Sequence, residues 1–514
     1  MRPALCACLA LATLPASVLG GATPRTSVTD LARADISRCV ASEAWIVPLR
    51  SSDHGARRAL HALYGADGGP IWVLDAQPTV QAMALIRVLQ GAASYGLDPR
   101  DYSAEALATL AQGRPGMLRL GGRAGSDEVA YEDTAASQAE RWATFDVNLS
   151  AAVLKLISDL HYGRIDPRAA GFELGAPRPD DLNLSGELRT LATSRDTARE
   201  LAAVEPQFLH YRLLEQALPH YRMLAAQSPT RAAQARVRKI VFTLERWRWL
   251  PTFQTPPIIV NIPEFRLFAF RTTADRAADI LQMDVIVGRT FPRNRTPVFV
   301  ADMKSIIFRP YWDVPRSITL AEMLPKIRSQ PGFLAAQHLE IVRGATDSAT
   351  PLRATPENIE ALALGTARLR QRPGADNALG LIKFDLPNPY DVYLHSTPAQ
   401  QLFRRSRRAF SHGCIRVSDP VALAAYALRE TPGNWSPASI ESAMKASGTR
   451  RVRLAHPIRV LILYGTVLAK EDGEVLFFDD LYGQDRKLEA LLDSQRETQR
   501  GASSGYKGAV GGHD

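Results

Sequence analysis

Cysteine is nearly missing from this chain, with four in 514 residues. A scaffold stapled by a disulfide framework is therefore excluded. Cys6 and Cys8 fall in the opening run, so once that run is set aside only Cys39 and Cys414 remain. A bridge between those two would have to bring the N-terminal end beside a distant motif, and Cys414 reads instead as a retained thiol. Long apolar runs are also missing. The opening MRPALCACLALATLPASVLGGATP has one basic residue, Arg2, then an apolar run short of the about 20 residues a bilayer-spanning helix needs, then small residues. This is the pattern of a secretory signal peptide over 1–22, so the protein is expected to be exported, with retention as a membrane anchor as the alternative. No internal repeat is present, which excludes a repeat array. Acidic residues are the minority charge, 53 against 62 Lys and Arg, giving +9 and a pI near 9.4. That balance suits an anionic partner, and export argues against nucleic acid.

What is present is enough for two or three domains, with 46% apolar residues to build cores. From 27 to 249 the pattern is helical: QAMALIRVLQGAASYGL, SAEALATLAQ and FDVNLSAAVLKLISDLHYGRIDP repeat apolar residues at three- and four-residue spacing. Asp146, His161 and Glu205 fall there and are expected to be solvated or capping groups without chemistry. After Pro251 the texture changes to short strands such as PIIVNIP, RLFAF, ILQMDVIVG and TPVFV. The strand pattern stops over 315–377, where helix-like pieces sit among Pro and Gly. It resumes at LGLIKF, DVYLH and PIRVLILYGTVLAKEDGEVLFF, with Asp472-Gly473 as a hairpin signal. The expected division is a signal peptide over 1–22, a helical scaffold domain over 23–250, a β-rich catalytic domain over 251–483 with an insertion over 315–377, and a C-terminal helix and disordered tail over 484–514. The fold class is α+β.

The chemistry concentrates in YLHSTPAQQLFRRSRRAFSHGCIRVSDP, which begins at Tyr393. A strand delivers His395, and Ser418-Asp419-Pro420 starts a helix just past Cys414. A cysteine nucleophile needs a base, because at an unperturbed pKa of about 8.5 little thiolate exists at neutral pH. His395 and His412 are the candidates. Spacing favours His395, since a short backbone limits the approach of residues two apart. A buried structural cysteine and a metal site of one Cys and two His, short of a fourth ligand, remain alternatives. Arg404, Arg405, Arg407 and Arg408 could meet carboxylates or form a solvated loop.

His395, fifteen intervening residues, then Ser411-His412-Gly413-Cys414-Ile415-Arg416 resembles the signature of the L,D-transpeptidases, whose catalytic unit is the YkuD-type domain. The likeness extends to TLERWRWLP, VNIPEF, YWDVPRSI, RQRPGADNALGLIKF and LHSTP, covering most of 211–483, and YGLDPRDYS and HYGRIDP resemble the large Gram-negative form with a helical scaffold and a capping insertion. The resemblance implies a β-sandwich-like domain that cuts peptidoglycan stem tetrapeptides before terminal D-Ala and makes 3→3 cross-links, without cofactor or metal. It implies Cys414 as nucleophile and His395 as general base, held by the backbone carbonyl of Ser396, so that the side chain at 396 matters less. The N–H groups of Gly413 and Cys414 would hold the oxyanion. His412, Arg416, Tyr393 and Trp312 would line the substrate cleft. Partners are expected to be peptidoglycan stems and cell-wall synthesis proteins.

One departure stands out: YRMLAAQSPTRAAQARVRK joins scaffold to catalytic domain with no room for the peptidoglycan-binding module common in the large form. Rival readings are an L,D-carboxypeptidase, a protein-anchoring enzyme with the same thioester, and a non-catalytic wall-binding scaffold.

Overall fold

The computed structural model describes residues 28–505 apart from 44–46, 48, 50–52, 66–67, 113–133, 175–181, 273–279 and 345. The expected leader and residues 506–514 lie outside the described residues. The protein is α+β, a helical N-terminal region followed by a mostly β region.

The helical region is organised around a 28-residue helix, α1 (Ala135–Tyr162), whose N-terminus is capped by Thr134. Phe145, Val147, Leu149, Val153, Leu156 and Ile157 are fully buried, because other helices, including Val28–Ala41, His54–Tyr64 and Leu184–Thr193, pack around it. Polar groups on so enclosed a helix must find partners inside. Lys155 pairs with Asp159 at 2.9 Å, and Asp159 also accepts from the Tyr102 hydroxyl at 2.8 Å. Asp146 accepts from the Trp72 N–H at 2.7 Å and the Tyr64 hydroxyl at 2.5 Å, and burial pushes its carboxyl up to about 6. The expectation that Asp146, His161 and Glu205 are solvated or capping groups is therefore corrected. Asp146 is completely buried, Glu205 is buried, and His161 Nδ1 bonds the Val204 carbonyl at 2.8 Å.

Helices α2 (Leu209–Gln227) and α3 (Arg231–Arg248) lead to the β region. The end of α3, FTLERWR, is buried on all sides because it runs between both bodies. Its charges are shared out accordingly. Glu245 holds Arg164 at 3.0 Å, Arg248 donates to the Tyr211 hydroxyl at 3.1 Å, and Arg246 pairs at 2.6 Å with Asp485 on the C-terminal helix α4 (Gln484–Gly505). One hydrophobic core runs without a break from Leu214, Leu218 and Ile240 of these helices into the strands. Helix α4 is anchored by Leu488 and Leu492 and continues to Gly505, so the Gly- and Ser-rich composition from about Gln499 does not end it there.

Eight strands of the β domain form a ring, numbered in chain order: β1 (Ile258–Asn261), β2 (Arg266–Ala269), β3 (Leu281–Gly288), β4 (Val298–Phe308), β5 (Ile382–Asp385), β6 (Leu394–His395), β7 (Ile415–Val417) and β8 (Arg450–Leu463). Their pairing order, β1-β2-β3-β7-β6-β5-β4-β8, closes on itself because β8 also pairs with β1. The two faces of the sandwich-like domain are thus one continuous ring, which leaves the pairs at its centre without a free edge. The scaffold adds a strand of its own, Phe172–Glu173, parallel to the start of β4.

The 315–377 insertion is not made of short helices alone. Leu339–Val342, Pro351–Leu352 and Arg368–Gln371 form an antiparallel sheet completed by Trp312–Asp313, backed by helices such as Pro356–Leu364 around a separate core. These strands escape a pattern search because they span two to four residues and one of them, RLRQ, alternates charge with apolar groups. Asn377 closes the root of the insertion, its amide donating to the carbonyls of Pro310, Gln371 and Arg372. Gly374, near that root, has open space where a Cβ would stand, so nothing there requires glycine.

Candidate active site

Strand register assembles the site. β6 and β7 run parallel, with Leu394 opposite Ile415 and His395 opposite Arg416. Leu394 and Ile415 are fully buried in the core. Side chains alternate along a strand, so Tyr393, His395, Cys414 and Arg416 emerge together on the other face. On the far side of β6, Lys383 of β5 is the register partner of His395, which extends the row to Lys383, His395 and Arg416 across three strands.

His395 is buried, and its Nδ1 lies 2.5 Å from the Ser396 carbonyl. A carbonyl only accepts, so the proton is on Nδ1 and Nε2 keeps its lone pair. Burial first, then the Arg416 charge, hold the imidazole down at about 3, leaving it neutral. Burial pushes the Cys414 thiol up, while hydrogen bonds from Tyr393 and the Lys383 charge pull it back. The resting pair is therefore a neutral thiol and a neutral base.

Cys414 is partly exposed, and Sγ lies 3.5 Å from the Asp391 carbonyl. Asp391 adopts a left-handed conformation, φ 53°, which aims that carbonyl at the sulfur. The Tyr393 hydroxyl bonds the sulfur and accepts from the Trp312 indole. Lys383 Nζ stands 4.1 Å over the Tyr393 ring. Trp312 and Tyr393 thus reach the Cys414 sulfur in sequence, one behind the other.

The loop carrying the thiol is braced from several sides. Gly413, at φ 126°, takes a conformation few side chains tolerate. Its carbonyl accepts from Thr296 Oγ1 at 2.7 Å, and Thr296 is held by the Tyr482 hydroxyl, which accepts from the Thr296 N–H at 3.2 Å and donates to the Gly288 carbonyl at 2.7 Å. The Gly413 N–H donates to Ser411 Oγ at 3.1 Å. In this state it is therefore not a free oxyanion donor as expected, because the neighbouring hydroxyl has claimed it. His412 Nε2 bonds Glu322 of the insertion at 2.6 Å.

A family model for the L,D-transpeptidase catalytic domain, YkuD, matches residues 256–437, and one for a Scaffold domain matches residues 58–218. The chain thus carries a YkuD-type L,D-transpeptidase catalytic domain and a Scaffold domain. A Haemophilus influenzae protein provisionally named as an L,D-transpeptidase is 30% identical over 278 residues, 54% of this chain and 53% of the relative, so the match spans about half the length of each.

Within the YkuD domain the structure brings together Cys414, His395, Tyr393, Trp312 and Arg416, while His412 engages the insertion. Arg408 is drawn away from the cluster of arginines, bonding Asp284 at 2.9 Å and the Phe265 carbonyl at 3.0 Å, whereas Arg404, Arg405 and Arg407 are exposed. Lys383, Asp391, Thr296, Tyr482 and Glu322 were not singled out from sequence. Only the Asp391 turn, inside NPYDVY, carried a local signal, since Asp tolerates φ above zero.

The Ser396 side chain corrects a further expectation. Its hydroxyl accepts from the N–H groups of Leu381 and Ile382 at 2.8 and 3.2 Å and donates to the Leu379 carbonyl at 3.1 Å. It fits here because Gly380, at φ 64°, leaves no Cβ in its path. Ser396→Ala would leave buried N–H groups without an acceptor and is expected to cost about 1–3 kcal/mol, read as a lower midpoint in denaturant.

Proposed function

We propose that this protein is a peptidoglycan L,D-transpeptidase that joins tetrapeptide stems into 3→3 cross-links through a Cys414 thioester. The observation that carries the reading is the shared face of Cys414 and His395, with the imidazole neutral and its tautomer fixed by the Ser396 carbonyl. Sγ attacks the carbonyl at the L-centre of diaminopimelate as its proton passes to His395 Nε2. Since neither group is charged at rest, proton transfer accompanies attack instead of preceding it. The Tyr393 hydroxyl and the Lys383 charge favour the thiolate as it develops. The Cys414 N–H holds the oxyanion, joined by the Gly413 N–H if substrate draws it from Ser411. His395 then protonates the departing amine of D-Ala, leaving the thioester. In the second half an acceptor amine attacks, His395 takes a proton from its nitrogen and returns it to sulfur.

Arg416 is suited to a stem carboxylate: its Nε is buried without a partner among the described residues, and desolvation by burial first, then the Arg289 charge, hold its guanidinium below the usual value. The exposed Arg404, Arg405 and Arg407 offer further attraction for an acidic polymer. Among the described residues no helix is long and apolar enough to cross a membrane. Periplasmic placement rests on the leader pattern and on the family's cell-wall substrate.

Incubation with purified disaccharide tetrapeptide, followed by mass analysis, tests the reading. Cross-linked dimer with free D-Ala is expected, along with a one-drug mass increase on Cys414 in a carbapenem. Tripeptide alone would assign an L,D-carboxypeptidase, an adduct on a protein lysine an anchoring enzyme, and unchanged substrate a non-catalytic wall binder.

A further inference from the structure

The second half-reaction has a proton left over. An acceptor amine in water is an ammonium ion, and turning it and a thioester into an amide and a thiol releases one proton: RC(O)–S + RNH3+ gives RC(O)–NHR, thiol and H+. His395 only shuttles a proton from nitrogen to sulfur, so the surplus proton must leave before the nitrogen can attack. Water as acceptor has no such requirement.

Glu322 and His412 match that need. Glu322 lies on a π-helical turn of the insertion, Thr319–Met323, a geometry that recurs at functional sites. It reaches the histidine two residues before the nucleophile and bonds its Nε2 at 2.6 Å. Both side chains are part open to solvent, 42% for Glu322 and 26% for His412. With Nε2–H donating to the carboxylate, Nδ1 is the acceptor atom and has no protein partner among the described residues. A carboxylate behind an imidazole attracts a cation and stabilises the imidazolium once Nδ1 is protonated. The charges on the row behind the thiol, Lys383 and Arg416, are both positive and would repel an ammonium. Asp391 brings a negative charge near the thiol, but Glu322 is the carboxylate hydrogen-bonded to the signature loop, through His412.

We propose that Glu322 and His412 form the site that binds the acceptor ammonium, with His412 Nδ1 taking its surplus proton before His395 assists attack on the thioester. Glu322 is a positioning residue acting through His412, and the insertion contributes it. The inference rests on the transpeptidase reading above.

The test is the partition of one thioester between two acceptors, a ratio that does not depend on how fast the thiol is loaded. With tetrapeptide as donor and acceptor, Glu322→Gln is expected to lower the ratio of cross-linked dimer to tripeptide about tenfold, and Glu322→Asp to recover part of it. Methoxyamine, uncharged at neutral pH, carries no surplus proton, so its capture of the thioester relative to hydrolysis should hardly differ between Glu322→Gln and the unaltered protein. A ratio unchanged with the ammonium acceptor, or an equal fall with methoxyamine, would overturn the proposal and make Glu322 a seating contact for the insertion. Unaltered protein that produces no dimer would overturn the transpeptidase reading itself.

Discussion

Cys414→Ala is expected to leave no acyl-enzyme at all: no mass increase with a carbapenem, and neither dimer nor tripeptide from tetrapeptide. The effect is the largest the site can show, because among the described residues no other thiol lies near. Cys39, the remaining free cysteine of the described residues, packs in the helical region. The fold should survive, since the loop is held by backbone and neighbouring hydroxyls and not by the sulfur. Thr296 grips the Gly413 carbonyl, and Ser411 Oγ donates to the Cys414 carbonyl at 2.5 Å. An unchanged thermal midpoint alongside lost adduct is the expected pair of readings. Residual turnover would remove Cys414 from its role.

His395→Ala is expected to slow acylation by roughly 10²–10⁴-fold, the ordinary contribution of a positioned base. His412→Ala should keep the acylation step, because its imidazole is turned to Glu322. Equal, total loss of acylation in both would leave the base unassigned. The pH profile gives a second measure. A free imidazole would lose its base function as pH falls through about 6.5, whereas His395, held at about 3, stays neutral and should give no acid limb near 6.5. The same depression has a stability consequence with a definite sign. Between those values the unfolded state binds the proton and the folded state does not, so this histidine's contribution is complete above about 6.5 and is lost as pH falls toward 3.

Cys414 and His395, the proposed nucleophile and base, could be singled out because such chemistry demands particular residue types at a particular spacing, and because DVYLH and the helix start at Asp419-Pro420 fix the local structure on either side. The ring of strands was legible only as short β segments. Closure depends on β5 pairing with both β4 and β6, and such non-local register leaves no trace in any one window. Tyr393 and Trp312 could be suspected but not ordered, since their link to sulfur runs through a pairing of distant segments. Lys383 lay unremarked in LGLIKF; its row with His395 and Arg416 is a property of three strands together. Glu322 lay in a segment read as short helices, and its contact with His412 joins groups far apart along the chain.

The brace on the Gly413 carbonyl orders events in time. Tyr482, which secures Thr296, stands immediately before α4, and Asp485 within α4 receives Arg246 from the junction of the two bodies. A chain is synthesised from its N-terminus and its domains consolidate as they emerge. The cysteine is therefore made well before the tyrosine that steadies its loop, and a partial chain that ends between Cys414 and Tyr482 carries the thiol without this brace.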